Sequence, residues 1–233
     1  NGGVVAGYCG LGKVGGETRL LSWLELMEAA SVSRDGKYAV IAETGGSSGD
    51  DYGVYLKKLD GSPAVLLGNG AAGSISTDDK WVTSILPSNP NKVQLLPTGV
   101  GQIKTIAAPN FRYYSANWTT DGRNVVVLAS ESGHPSRFWL QNIDTLATRA
   151  LTPEGVNGLF VTLNRSDYIC TRDSAGALQL YPLDGGEPKA VRGISDSERV
   201  IGGTREKKMR FITTDGCESP RKWDRVNVQE GRH

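Results

Sequence analysis

The sequence predicts an all-β fold, a β-propeller of about five four-stranded blades, on three observations. A turn motif built on Asp-Gly recurs at a nearly constant interval, and a second strand-and-turn pattern recurs in phase with it. The composition is rich in glycine, with 30 in 233 residues, which suits a chain with many turns. A period of about 40 to 45 residues with several short strands in each unit is typical of propeller blades. A β-sandwich or irregular β-domain with coincidental turns is the alternative.

The first marker is the turn Ser33-Arg34-Asp35-Gly36-Lys37, which is followed by the apolar run at 38–42. Asp bonds back to its own backbone and Gly accepts a positive φ, so the motif predicts a tight turn that enters a strand. Related turns follow at 76–80, 119–123, 164–167 and 204–208. The equivalent positions are Asp35, Asp78, Asp121, Ser166 and Glu206, at steps of 43, 43, 45 and 40 residues.

The second marker is an alternating strand that ends in a turn, at 54–61. Segments 138–144 and 178–185 match it closely, and 93–99 and 223–228 match it loosely. Together the markers predict one propeller region over residues 1–233, with repeats at about 1–28 (partial), 29–70, 71–112, 113–156, 157–196 and 197–233 (partial). Each blade needs its neighbours to bury both of its faces.

The chain begins and ends inside a repeat, so we expect it to be a piece of a longer polypeptide. A strand at 18–21 then closes the ring at about five blades, or the piece is an incomplete, open ring with free sheet edges. The sequence leaves both arrangements open.

Composition excludes several classes of function. The formal net charge of +1 predicts no affinity for nucleic acid. The sequence contains no run of about 18 apolar residues, so it predicts no membrane-spanning segment. Cys9, Cys170 and Cys217 lack any metal-binding spacing, so we predict no metal and no cofactor.

Two glycine motifs match the residue patterns of functional signatures, but the secondary structure predicted around them does not match. The segment 10–15 reads G-x-G-x-x-G, but the β-rich chain that follows predicts a turn or loop and not a dinucleotide site, which needs a helix at the glycines. The segment 45–49 reads G-x-S-x-G around Ser47, but it leads into a strand, whereas a nucleophile elbow leads into a helix. A catalytic triad would also depend on His134, which lies in a predicted hairpin loop.

Other candidates have simpler structural interpretations. Asp50 and Asp51 form either a weak cation site or, more simply, a solvated loop. Phe111, Tyr113 and Tyr114 precede the third turn and could line a rim or pocket. Five tryptophans are expected in the core or between blades, and Asn117 and Asn164 fit the glycan acceptor pattern. We predict no catalytic, cofactor-binding or metal-binding residue, and the sequence leaves the binding residues unknown.

Trp118-Thr119-Thr120-Asp121-Gly122-Arg123 is similar to the W-S-P-D-G-K centre of a known repeat. On this motif the chain resembles the TolB-like, WD40-like β-propeller repeat family (the PD40 repeat). Segments 21–24, 55–65, 95–99, 151–156 and 180–188 look like the C-terminal propellers of bacterial serine/threonine kinase-type proteins. The first Trp of the motif is missing from the other four copies, which leaves the exact blade boundaries open.

The resemblance implies a non-catalytic sensor or interaction module, joined in the parent protein to a kinase through a membrane segment or to a DNA-binding domain. The module would bind a protein or small-molecule ligand at its loops or central mouth, and it would be extracytoplasmic if the parent is a membrane-anchored kinase. One alternative is the propeller domain of a prolyl-oligopeptidase-like hydrolase whose catalytic domain lies elsewhere. Another is a hydrolase or lyase site within the channel.

Overall fold

A computed structural model describes residues 10–12, 18–20, 27–45, 49–156, 161–162, 168–194, 199–205, 209–214 and 222–225. Every regular element in these ranges is a β-strand. Within the same ranges, no helix has the length and apolar character needed to cross a membrane.

The strands form consecutive antiparallel sheets that follow the order of the chain. The first sheet is β3 (Met27–Val32), β4 (Tyr38–Glu43), β5 (Gly53–Lys58) and β6 (Val65–Asn69), and the second is β7 (Ala71–Ile75), β8 (Trp81–Leu86), β9 (Asn89–Pro97) and β10 (Lys104–Ile106). The third is β11 (Phe111–Trp118), β12 (Asn124–Glu131), β13 (Arg137–Asn142) and β14 (Thr148–Ala150), and the fourth is β15 (Val161–Thr162), β16 (Tyr168–Arg172), β17 (Leu178–Pro182) and β18 (Lys189–Ala190).

Two smaller sheets lie before and after these four. One is the pair β1 (Gly10–Gly12) and β2 (Thr18–Leu20), and the other is β19 (Arg199–Arg205), β20 (Met209–Thr214) and β21 (Lys222–Arg225). Four-stranded sheets with neighbouring strands paired in chain order are the architecture of propeller blades. The predicted all-β propeller class is therefore confirmed. The chain forms two compact units, residues 1–118 and 119–233, and each is described separately.

In each described copy of the recurring turn, a hydroxyl donates to an Asp carboxylate, and that carboxylate accepts the N–H of the residue two positions further on. In the first copy, the Ser33 hydroxyl donates to Asp35 Oδ1 (2.8 Å), and that carboxylate accepts the N–H of Lys37 (3.0 Å). The Ser33 hydroxyl also accepts the N–H of Tyr38 (2.9 Å), which begins β4. Gly36 takes a φ of 71°, as the Asp-Gly motif predicts.

The second copy repeats all three bonds, whereas in the third the N–H of Asn124 donates to Asp121 Oδ1 (3.1 Å) instead of to the hydroxyl. The hydroxyls of Ser76 and Thr119 donate to Asp78 (2.6 Å) and Asp121 (2.5 Å) respectively. In the second copy Asp79 stands where the other turns have glycine, and it adopts a φ of 58°. The predicted turn at 164–167 lies outside the described residues, and so do residues 206–208 of the turn predicted at 204–208, whose first two residues end β19.

The core of the first unit lies between its first two complete sheets. Val40, Val54 and Leu56 of the first sheet pack with Ile75, Val82 and Leu96 of the second, all at most 8% exposed. This face-to-face burial between sequential sheets is the arrangement that the repeat predicted.

The first strands of successive sheets also contact one another in the first unit, where β3 lies against β7 and β7 against β11. Ser31 Oγ accepts the N–H of Ile75 (3.0 Å), and Ser74 Oγ accepts the N–H of Trp118 (2.7 Å). The two serines are 43 residues apart, so the same bond links the first sheet to the second and the second sheet to the third. A short hydroxyl side chain can make this bond only where the strands come close together.

The second unit has its own core. Val126 and Phe138 of the third sheet pack with Ile169 and Tyr181 of the fourth. Leu151 and Val156, in the segment that connects the two sheets, fill the same cluster. Each unit therefore buries the apolar faces of sequential sheets against each other.

Candidate functional site

Two kinds of loop meet at one end of the first two complete sheets, which we call the turn end. In the first unit it comprises the turns at 33–37 and 76–80 and the loops at 59–64 and 98–103. The N–H of Leu59 donates to the carbonyl of Lys37 (2.8 Å), and that of Thr98 donates to the carbonyl of Lys80 (3.0 Å). In these two sheets, the turn between the first and second strands therefore fixes the base of the loop that follows the third strand.

The loop at 98–103 presents apolar side chains to solvent. Its base is held a second time, because the Thr98 hydroxyl donates to the carbonyl of Asp79 (2.6 Å). Beyond this anchor Val100 is completely exposed and Ile103 is 50% exposed. The corresponding loop of the first sheet, at 59–64, is closed on itself, since Asp60 Oδ1 accepts the N–H of Ser62 (2.9 Å).

The two turns at this end each carry a paired charge. Lys37 Nζ lies 2.7 Å from Asp35 Oδ2, and Lys80 Nζ lies 3.6 Å from Asp78 Oδ2. Hydrogen bonds from the Lys37 side chain and N–H, and from the Ser33 hydroxyl, lower the pKa of Asp35 to about 2. Burial acts to raise the pKa of Asp78, but hydrogen bonds from Ser76 and Lys80 outweigh it, and the net shift is downward.

Asp79 behaves differently from its neighbours. Burial raises its pKa, and the nearby charges of Asp35 and Asp78 raise it further. Its Oδ1 atom is buried and has no hydrogen-bond partner among the described residues. The folded chain thus disfavours the ionised form of this carboxylate, in contrast to the carboxylates that close the turns.

One member of the acidic pair at 50–51, Asp51, has a structural role. Asp51 Oδ1 accepts the N–H of Ser88 (3.0 Å), and Asp51 Oδ2 accepts the Ser88 hydroxyl (2.9 Å). The carboxylate therefore joins the loop after β4 to the hairpin between β8 and β9. In the part of the chain that the structure describes, no group of three His, Cys, Asp or Glu residues could hold a metal ion.

His134 is exposed and pairs with a carboxylate of its own unit. Its Nδ1 lies 3.2 Å from Glu154 Oε1, which also accepts a hydrogen bond from Arg137 Nη2 (2.9 Å). Ser47 of the G-x-S-x-G segment lies outside the described residues, so the structure does not place it relative to His134.

The G-x-G-x-x-G segment is part of a hairpin. Its first three residues form β1, which pairs antiparallel with β2 at Thr18–Leu20, and residues 13–17 lie outside the described ranges. A dinucleotide site needs a parallel βαβ unit, which an antiparallel return so soon after the glycines does not provide.

The aromatic cluster before the third turn is divided between core and surface. Phe111 and Tyr113 are buried, and the Tyr113 hydroxyl accepts the N–H of Ala108 (2.7 Å). Tyr114 is 47% exposed, so only this member of the predicted rim faces solvent. Asn117 lies within strand β11, and Asn164 is outside the described residues.

The tryptophans and Cys170 mainly serve packing. Trp118 and Trp139 are buried, as expected, while Trp81 is half-buried beneath Lys104, whose Nζ lies 4.6 Å from the ring centroid. The side chains at 23 and 223 are outside the described set. Burial raises the pKa of the Cys170 thiol to about 12, so it is not a thiolate nucleophile at neutral pH.

Sequence reasoning missed Val100 and Ile103. A signal was available, because Gly99-Val100-Gly101 places an apolar residue between glycines in a connection between two strands. Core residues usually lie within strands, so an apolar residue in such a loop predicts an exposed side chain.

Comparison with known structures shows what the chain is similar to. TolB from Acinetobacter baumannii matches with a TM-score of 0.63 at 16% identity, over 90% of this chain and 58% of that chain. Oligogalacturonate lyase from Vibrio parahaemolyticus matches with a TM-score of 0.56 at 16% identity, over 80% of this chain and 58% of that chain. Prolyl oligopeptidase B from Galerina marginata matches with a TM-score of 0.51 at 15% identity, over 87% of this chain and 34% of that chain.

No family model matches the sequence, and no curated protein matches it significantly. The chain spans little more than half the length of the TolB and lyase chains, and about a third of the prolyl oligopeptidase chain. At these identities the similarity concerns the fold alone: the chain is a β-propeller similar in fold to TolB and to the propellers of larger enzymes.

Proposed function

We propose that the chain is a non-catalytic binding module for a protein partner, and that the loop at 98–103 is part of its contact surface. The observation that carries this proposal is the complete exposure of Val100 and the half exposure of Ile103 on a loop with an anchored base. Apolar side chains clustered on a surface loop and surrounded by polar groups are typical of protein interaction sites.

The anchoring of the loop supports this function. Thr98 is bonded to the turn at 76–80 through both its N–H and its hydroxyl, so the start of the loop is ordered before any partner binds. Ordering a loop in advance lowers the entropic cost of association. The ion pairs Asp35–Lys37 and Asp78–Lys80 would form a charged rim, which contributes more to orientation and selectivity than to affinity.

We further propose that this module is the sensor or interaction part of a larger bacterial signalling protein. Support comes from the segments that resemble the C-terminal propellers of bacterial kinase-type proteins. The domain order of the parent gene tests the proposal: a kinase domain and a transmembrane helix preceding the propeller are expected.

A second candidate is the propeller domain of a prolyl-oligopeptidase-like hydrolase. It is favoured by the similarity that spans 87% of this chain but only 34% of the prolyl oligopeptidase chain. An α/β-hydrolase domain in the parent gene would favour this candidate. Hydrolysis of ester or peptide substrates by the chain alone, abolished by Ser47→Ala, would contradict the non-catalytic assignment.

Site-specific photocrosslinking tests the contact surface. A photoreactive amino acid at position 100 should crosslink a protein from an extract of the organism that encodes the chain, and the partner is then purified for a direct affinity measurement. Val100→Asp should weaken binding of that partner by about 10-fold or more, because it removes an apolar contact that is buried in the complex and places a charge in the interface.

The matched control is Asn91→Asp. It introduces the same charge at an exposed position of β9, near the opposite end of the same sheet, and should leave the affinity unchanged. An equal loss of affinity in both variants, or none in Val100→Asp, would contradict the assignment of the loop.

A further inference from the structure

The outer strand of the first sheet differs from the other outer strands. β6 has five residues, Val65 to Asn69, and none is charged. The outer strands β10, β14 and β18 have three, three and two residues, and each carries a basic residue, namely Lys104, Arg149 and Lys189. Short length and lysine or arginine side chains are the usual means by which an edge strand avoids pairing with other chains.

Strand β6 lacks both kinds of protection. Val65 is 59% exposed and Leu66 is 54% exposed, although both are large apolar residues on a strand. In the order β3-β4-β5-β6, its only strand partner among the described elements is β5. An exposed, apolar outer strand is a template for another extended strand.

The charges at the two ends of β6 indicate which strand fits. Val65 pairs with Leu56 of β5, so this end of β6 lies beside Lys57 and Lys58. The other end pairs through Asn69 with Gly53, and the Asn69 side chain donates to the carbonyl of Tyr52 (2.9 Å), next to Asp50 and Asp51. Asp60 also lies near Lys58, so the Val65 end has two lysines and one carboxylate and is net basic, whereas the Asn69 end is acidic.

We propose that β6 pairs antiparallel with the β6 strand of a second copy of the chain. A two-fold axis near Leu67 would place Val65 of one copy opposite Asn69 of the other. It would also bring the basic end of each edge toward the acidic end of its mate. The same patch serves both copies, as the closed symmetry of a dimer requires. Leu66 and Val65, now exposed, would become part of a continuous sheet across the interface.

Sedimentation velocity over a range of protein concentrations tests the proposal. The unaltered chain should show a monomer–dimer equilibrium that weakens at high salt, because the end charges attract each other. Val65→Lys and Leu66→Lys should each raise the dimer dissociation constant by about 10-fold or more, since each places a charge at the pairing edge. Both positions are exposed, and circular dichroism and thermal melting verify that the variants remain folded.

Thr105→Lys is the matched control, because it adds the same side chain at an exposed position of the outer strand β10. The dimer dissociation constant of the Thr105→Lys variant should equal that of the unaltered chain. The proposal is overturned if the unaltered chain is monomeric at every concentration, which would leave the edge to a strand from a different protein. It is also overturned if the dimer persists unchanged in both β6 variants.

Discussion

Replacing Gly73 by alanine tests how closely the blades of the first unit approach one another. Gly73 lies on β7, and a Cβ atom at this position would lie closer than 3.0 Å to the carbonyl oxygen of Ala116 on β11 and to Thr83 Oγ1. Both atoms are held by the fold, because the Thr83 hydroxyl donates to that same Ala116 carbonyl (2.7 Å). The methyl group can be accommodated only if β7 and β11 move apart.

The cost follows from two terms. Inserting a methyl group into a packed interior costs about 1–3 kcal/mol. Separating the strands also weakens the bond from Thr83 to Ala116 and the bond from the Trp118 N–H to Ser74 Oγ (2.7 Å), each with a net contribution of roughly 1 kcal/mol. We therefore expect Gly73→Ala to lower the free energy of unfolding by about 3–5 kcal/mol, a large part of the roughly 5–15 kcal/mol of an ordinary domain.

Urea denaturation followed by tryptophan fluorescence measures this difference. Gly99→Ala is the control, because nothing lies within 4 Å of a Cβ atom built at that position, which is in the exposed loop at 98–103. It should change stability by less than about 0.5 kcal/mol. If Gly73→Ala were within 1 kcal/mol of the unaltered chain, the close approach of β7 and β11 would be refuted.

Three further predictions concern hydrogen bonds and charges at the blade junctions and turns. Ser74→Ala should lower the free energy of unfolding by about 1–3 kcal/mol, measured by urea denaturation, because it leaves the Trp118 N–H without its partner. Asp79→Asn should raise the free energy of unfolding by roughly 0.5 kcal/mol at pH 7, because the raised pKa of Asp79 means that folding disfavours its charged form. This gain in stability should grow as pH rises above 3.8 and vanish in acid, as urea denaturation at several pH values would show. The ionised Asp35 stabilises the unaltered chain above pH 3.8, and this stabilisation is lost as pH falls toward about 2. Asp35→Ala should therefore lower the melting temperature above pH 3.8 and have little effect near pH 2, as thermal melts across that range would show.

The repeating turns could be predicted from the sequence because their chemistry is local. Every group that forms the first turn lies within the six residues from Ser33 to Tyr38, so the letters alone specify the hydrogen bonds that the structure contains. The in-phase segments at 54–61, 138–144 and 178–185 were likewise expected as strands, and β5, β13 and β17 lie there. Period and turn chemistry together indicated the all-β propeller class.

The candidate surfaces were harder to predict because exposure depends on contacts between distant parts of the chain. Phe111, Tyr113 and Tyr114 have similar apolar character in sequence, yet two are buried and one faces solvent. Asp50 and Asp51 read as a solvated pair, and only the fold shows that Asp51 bonds Ser88, 37 residues away. No local pattern carries information about a partner at that separation.

The sequence by itself determined the turns at 33–37, 76–80 and 119–123, the strands β5, β13 and β17, and the fold class, since these depend on backbone preferences and on a period of about 43 residues. Tertiary structure alone decided that Gly73 and Ser74 sit where two blades meet, that Val100 is fully exposed, and that β6 ends its sheet with two apolar side chains in solvent. The reason is physical: burial and interstrand distance are properties of surfaces assembled from segments far apart in the chain, and they exist only after the blades have packed.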